Sequence, residues 1–352
     1  MVAPPSIHAD LDRPHGKVRG RWLRWLLAGT RGVFLTILLA WAAGAIYFAA
    51  PVPGFAARLV LAVMFTAFGI WSLWFARDRR LMLAFAVLYG GLLIWWSSIL
   101  PSHDRQWRPD HAVLPQAIIE GDRVRISDVR NFDYRTRDDF DVRYETREVA
   151  LSHLTGIDFY ISYWMQGPVA HTFLSFTFDN APPLAISIEA RFEAHEGFDP
   201  LASLFKQFEL IYVVGEERDV VRVRTNIRKE DVYLFHINVS PEAARRLFLV
   251  YLERINQVHA HAEFYHLLSN NCTINIVRYA NRAGREGWFE IRHLLNGLID
   301  GYLYNTNRLD SDLPLPELRA RSHINEAAQA ADDSSDFSER IRAELPPRVS
   351  RP

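Results

Sequence analysis

The chain has 352 residues, with 40 Lys and Arg against 41 Asp and Glu. The formal net charge of -1 excludes a global field that would draw in nucleic acid, and the length permits two or three structural units. One cysteine excludes an internal disulfide.

A mean hydropathy of -0.07 reads as soluble, but it averages over a sharp split. Residues 1–31 are basic, 32–100 are almost wholly apolar, and the remainder is rich in Arg, Asp and Glu. The first apolar run extends from Gly32 to Ala50 without a charge. At about 1.5 Å per residue it can cross a hydrocarbon core of about 30 Å. The second runs from Phe55 to Phe75, with Arg58 placed near its start, where it can snorkel; the third runs from Leu81 to Leu100. Three such runs in succession read as transmembrane helices, because a cleaved signal has a single, shorter apolar core. Arg13, Lys17, Arg19, Arg21, Arg24 and Arg31 precede the first span, and Arg77, Arg79 and Arg80 follow the second. The excess of basic residues puts the N-terminus and the second loop in the cytoplasm. An odd number of spans then places everything beyond about Pro101 outside, in the periplasm if the membrane is the inner membrane of a bacterium.

Residues 101–320 are expected to form the exported domain and 321–352 a polar tail. Short strands are expected over 101–150, where Val124, Ile126 and Val129 alternate with polar residues. HTFLSFTF (171–178) alternates strictly, DNAPP (179–183) is turn chemistry, and LAISIEAR (184–191) alternates again. This is a β-hairpin whose polar face carries His171, Ser187 and Glu189. Pairing Phe178 near Leu184 puts Phe173 opposite Glu189, with Glu189 a diagonal neighbour of His171. FELIYVV and VVRVRT read as strands joined by a solvated GEERD (215–219), and VYLFHI as a further strand. Ser240 as N-cap and Pro241 in the first turn open an amphipathic helix. A second helix begins in SNNCTINIVRY (269–279), capped by Asn270 or Asn271. There is no internal repeat, P-loop or paired CxxC spacing.

That second helix carries Cys272. In an oxidising compartment an unpaired cysteine is either buried and inert or kept for its reactivity. A first-turn position favours the thiolate through the helix dipole, and the neighbouring N–H groups can hold an oxyanion. Nucleophilic catalysis also needs a base. His171 is the best placed of the 13 histidines, with Ser187 or Glu189 able to orient its ring; the bland alternative is a strand-end histidine satisfied by its neighbours. A rival set, His259, His261 and His266 with Cys272, could bind zinc, but its spacing matches no common structural site and these histidines read more simply as loop or surface residues. No cofactor is implied.

The exported part resembles the family of the Lnb N-terminal periplasmic domain. The resemblance runs from about Asp104 to the end of the folded region. It rests on DRQWRPD, RNFDYR, YW with HTFLSFTF, ISIEAR, FELIYVVGEERD, RTNIRKEDVYL and NNCT together. It implies an α+β fold, a permuted papain-like (NlpC/P60-like) thiol domain with an antiparallel sheet and helices, in which the histidine strand precedes the cysteine helix. It further implies Cys272 as nucleophile, His171 as base, and an orienting group at Glu189 or Ser187. The implied activity is a thiol acyltransferase that moves an acyl chain from phospholipid to an amine, such as the N-terminus of a lipoprotein, through an acyl-Cys intermediate. The same dyad could serve a cysteine peptidase or amidase of the cell envelope, and a non-catalytic envelope scaffold is the alternative from another class.

Overall fold

The computed structural model describes residues 15–348 except 77 and 286, and it divides into two compact units, Met1–Ile99 and Leu100–Pro352. Arg13 and Arg77, two of the residues used to orient the spans, lie outside the described residues.

The first unit contains α1 (His15–Ala49), α2 (Phe55–Ile70), which continues as a π-helical turn over Trp71–Phe75, and α3 (Arg79–Ser98). Arg24–Ala49, Phe55–Phe75 and Arg79–Ser98 are each long and apolar enough to cross a membrane. Their ends follow local chemistry. The segment with Pro51 and Pro53 cannot continue α1, and Asp78 caps α3 by accepting from the Arg80 N–H at 2.8 Å. At Gly69 an added Cβ would stand 2.5 Å from Leu39 and 2.8 Å from Phe85, so only a glycine lets α2 approach the other two helices here. Side chains such as Val63, Leu83 and Ile94 are exposed on this unit, as befits helices whose outer faces meet lipid.

The second unit is built on one mixed sheet. Its strands are β1 (Gln116–Glu120), β2 (Arg123–Arg130), β5 (Tyr144–Ala150), β6 (Leu154–Tyr163), β7 (His171–Phe178), β8 (Leu184–Arg191), β9 (Glu209–Glu216) and β10 (Asp231–His236); β3 (Asp133–Tyr134) and β4 (Phe140–Asp141) form a small separate ladder. The order is β1-β2-β9-β8-β7-β6-β10, with β5 also on β2. All pairs in it are antiparallel except β2 with β9. The helices are α4 (Glu217–Val220), α5 (Pro241–Ala260), α6 (Cys272–Arg282), α7 (Ile299–Asn305), α8 (Leu315–Ser322), α9 (Asn325–Ala331) and α10 (Phe337–Arg340).

Both faces of the central strands are covered. Leu174 and Phe176 lie on one face, where Phe176 packs at 4.8 Å from Phe248 and 5.5 Å from Tyr251 of α5. Tyr160, Phe173 and Ala185 lie on the other, in a core with Val220, Ile324, Phe337 and Ile341. The segment expected as a polar tail from 321 is therefore part of this domain over its described residues. Its Ile324, Ala328, Phe337 and Ile341 recur at helical spacing and are buried against the sheet.

The structure departs from the sequence reading at two further points. The hairpin register is Phe173↔Ser187 and Phe176↔Leu184, two residues from the expected pairing, because the turn is longer. VVRVRT is not a strand: after α4 the chain forms a π-helical turn at Val223–Ile227. GEERD is not a solvated loop either, since Glu217 and Asp219 are buried and serve as anchors. Asp219 accepts from the Phe132 N–H at 2.7 Å and pairs with Arg130 at 2.7 Å. Glu217 accepts from the Tyr160 hydroxyl at 2.7 Å and pairs with Arg342 at 2.6 Å.

Arg342 also reaches Asp158 at 2.8 Å, so one guanidinium near the C-terminus serves two fully buried carboxylates, on β6 and α4. Burial pushes both carboxyls up, but the Arg342 charge holds each below its ordinary range. Their stabilising contribution is therefore present above the unfolded carboxyl pKa of about 4 and is lost as pH falls through the lower folded values. Arg342→Gln should destabilise the domain by about 3–5 kcal/mol near neutral pH, because it strands buried charge. Denaturant melts should show the deficit shrinking as the pH is lowered below about 4.

Candidate active site

The site begins with two element starts. His171 is the first residue of β7 and Cys272 the first of α6. Asn271, not Asn270, is the N-cap, accepting from the Ile274 N–H at 2.8 Å. Asn270 instead ties the preceding loop to the helix, donating to the Phe264 carbonyl at 2.8 Å and accepting from the Asn275 amide at 2.9 Å. With Ile274 capped and the Asn275 N–H bonded to Asn271 O, the N–H groups of Cys272 and Thr273 are the first-turn donors that remain for an oxyanion.

His171 and Cys272 line one pocket of about 380 Å³. The ladder between β7 and β8 ends at Phe173–Ser187, so His171 and Glu189 stand beyond it. The pocket takes Glu189 from one face of β8 and Ile188 and Ala190 from the other, and thus lies across the end of the hairpin. The His171 Nε2 is 2.7 Å from the Ser187 hydroxyl and 3.8 Å from a Glu189 carboxylate oxygen. Ser187 is therefore the direct hydrogen-bond partner and Glu189 the nearby charge. Both lie toward Nε2.

Burial pushes the Cys272 thiol up, but the His171 charge and hydrogen bond, with help from Thr172, bring it down to about 6. A thiolate is then the main form at neutral pH. Glu189 remains ionised for a similar reason. Burial opposes its charge, but Arg224 at 2.6 Å, His111 with its Nε2 at 3.6 Å and the His171 charge hold it well below the usual carboxylate range. Arg224 is itself fixed by donation to the Val220 carbonyl at 2.6 Å and lies 4.8 Å above the Phe173 ring.

Asn296 and Thr273 complete the assembly. The Asn296 amide donates to Thr273 Oγ1 at 3.0 Å, stands 3.7 Å from Cys272 Sγ, and accepts from the Ala170 N–H at 2.8 Å. Thr273 and Thr172 share a hydrogen bond of 2.8 Å. Gly297 allows the loop to seat: an added Cβ would meet the Pro168 carbonyl carbon at 2.8 Å, and its N–H donates to Pro168 O at 2.9 Å. Arg224, His111 and Asn296 escaped the sequence reading. Arg224 lies in VVRVRT, which reads as a strand beside a solvated loop, and nothing local marks Asn296, which lies 24 residues beyond Cys272.

The rest of the pocket is of two kinds. Trp164, Phe192, Phe198, Tyr265 and Leu294 give it an apolar wall, and Arg108, Arg137 and Arg228 give it positive charge. Arg228 is only 3.9 Å from Glu230; burial and the like charge of Arg224 push its guanidinium down. The rival histidines lie elsewhere in function. His266 shapes the loop before α6, accepting from the Leu268 N–H at 3.3 Å and lying 3.0 Å from the Ser269 hydroxyl. Among the described residues no group of three or more His, Cys, Asp and Glu could hold a metal ion.

Alkylation of Cys272 by iodoacetamide should follow a pH profile with a midpoint near 6. In His171→Ala the midpoint should rise above about 8.5, because burial is then opposed only weakly. An unchanged midpoint would mean that His171 does not set the thiolate. Asn296→Ala leaves the buried Ala170 N–H without its acceptor and should cost about 1–3 kcal/mol in a denaturant melt.

No curated protein and no solved structure matches the chain. The family model of the Lnb N-terminal periplasmic domain matches residues 140–297. That span starts later than Asp104 and takes in β4 to β10, α4 to α6, His171, Ser187, Glu189, Cys272 and Asn296. Over residues 140–297 the chain is thus similar to the Lnb N-terminal periplasmic domain.

Proposed function

We propose that this protein is a membrane-anchored thiol acyltransferase whose catalytic domain lies in the periplasm, with a permuted papain-like arrangement of histidine strand and cysteine helix. The observation that carries the reading is the buried Cys272 thiol, brought down to about 6 by His171, opening on a pocket with an apolar wall and several arginines. The donor is a phospholipid and the acceptor an amine such as a lipoprotein N-terminus. Anchoring by the apolar helices at the N-terminus, in the inner membrane with that terminus cytoplasmic, tethers the enzyme to the bilayer that holds both.

The Cys272 thiolate attacks the ester carbonyl, forming a C–S bond, and the carbonyl oxygen takes negative charge beside the first-turn N–H groups. Collapse breaks the ester C–O bond, and the departing alkoxide takes the proton held on His171. The products of this half are acyl-Cys272 and a lysophospholipid. The amine then attacks the thioester while His171 accepts its proton; a C–N bond forms, the C–S bond breaks and the thiolate returns. Ser187 keeps the ring aligned, and Glu189 stabilises the imidazolium that stands beside the free thiolate before the first half and after the second.

Incubation of the full chain with acyl-labelled phospholipid should give a mass increase of one acyl chain on wild type and none on Cys272→Ala. His171→Ala should slow its appearance by about 10²-fold or more. Cleavage of a peptide or amide substrate without an acyl adduct would move the assignment to an amidase. Absence of both adduct and turnover would leave a scaffold.

A further inference from the structure

A second cavity lies behind the nucleophile helix. It measures about 320 Å³, within the ordinary size range of ligand sites. Its wall is formed by one face of the sheet (Ile157, Phe159, Leu174), by α5 (Leu247), by α6 (Ile276, Val277) and by Ile299 of α7. Ile157, Phe159, Leu174 and Ile299 are buried, so the inner end is apolar.

The outer end is cationic. Arg246, Arg285 and Arg308 all line the cavity, and among the described residues no carboxylate does. Arg246 is exposed, while the other two are half-buried. The Nε atoms of Arg285 and Arg308 are buried without a hydrogen-bond partner. Burial pushes the Arg285 guanidinium down and the like charge of Arg308 adds to this, although the ring and hydroxyl of Tyr302 offset part of the cost. Buried donors and like charges collected without a counter-ion are expensive unless an anion meets them.

We propose that this cavity binds a single-chain anionic amphiphile, its aliphatic chain between the sheet and α6 and its carboxylate or phosphate head on Arg285 and Arg308. The chemistry is shared by a free fatty acid and a lysophospholipid. The site is separate from the catalytic pocket and does not depend on the acyl-transfer reading. It meets the catalytic machinery at Thr273, which lines the cavity and follows Cys272 in the first turn of α6.

The test is native mass spectrometry of the full chain, released from neutral maltoside micelles and carrying Cys272→Ala so that no covalent acyl adduct can form. The protein is titrated separately with palmitate, palmitoyl-lysophosphatidate and hexadecanol. A single adduct with at least one of the two anions is expected, with hexadecanol at least about tenfold weaker. Arg285→Gln with Arg308→Gln should weaken anion binding about tenfold and leave hexadecanol unchanged. Val277→Trp, which fills this cavity alone, should abolish the adduct. Ala280→Phe is a second filling variant if the first lowers the thermal midpoint. Binding of palmitate alone identifies a carboxylate head, and of lysophosphatidate alone a phosphate head. No adduct with either anion, equal binding of hexadecanol, or an adduct that survives both filling variants overturns the proposal.

Discussion

The buried Glu189 carboxylate is the charge on which the site depends. An ionised carboxylate inside a protein persists only where opposite charge meets it, and Arg224 supplies that charge at 2.6 Å. Arg224 can do so because its other arm is tied to Val220 of α4 and its flat face lies against Phe173. The short helix α4 is in turn held by Glu217 and Asp219, through Arg342 near the C-terminus and Arg130 on β2. A line of ionic contacts thus runs from the ends of the domain to Glu189. The Glu189 carboxylate in turn lies 3.8 Å from the His171 ring.

His171 and Cys272 come from two layers of the fold. His171 shares its face of the sheet with Phe173, Ser187 and Glu189, whereas α6 packs on the face that carries Thr172. Both residues line one pocket: the β7–β8 ladder stops before His171, and each is the first residue of its element. Such an arrangement needs fastening. The Thr172–Thr273 bond and the Asn296 amide provide it, joining strand, helix and the loop at 296–297 within a few ångströms of the sulfur.

The two cavities beside α6 differ in how their charges are met. In the pocket of Cys272 three of the four arginines have carboxylates near them: Arg224 has Glu189, Arg108 has Asp110 at 3.1 Å and Arg228 has Glu230. Behind the helix the arginines have none among the described residues that line the cavity. The first arrangement keeps the charges around Cys272 and His171 balanced. The second stores uncompensated positive charge beside an apolar interior, a combination that suits a bound anion.

The amino-acid order was enough to define whatever depends on near neighbours. The apolar spans, the alternation of 171–178 and 184–191, the Ser240 cap, and the start of a helix at Cys272 all follow from periodicity and from side chains that bond within three or four residues. Cys272, His171 and the pair of candidate partners, Ser187 and Glu189, were legible for that reason. Tertiary structure decided the rest. The hairpin register moved by two residues because the turn between the strands, not their alternation, sets the pairing, and a shift of two leaves every side chain on the same face. GEERD and the tail beyond 320 looked solvated because their charged residues find partners more than 80 positions away, as Asp219 does in Arg130 and Glu217 in Arg342. Asn296 was invisible for the same reason. A buried polar contact between distant segments has no period and no local motif, so only the folded chain brings its members together.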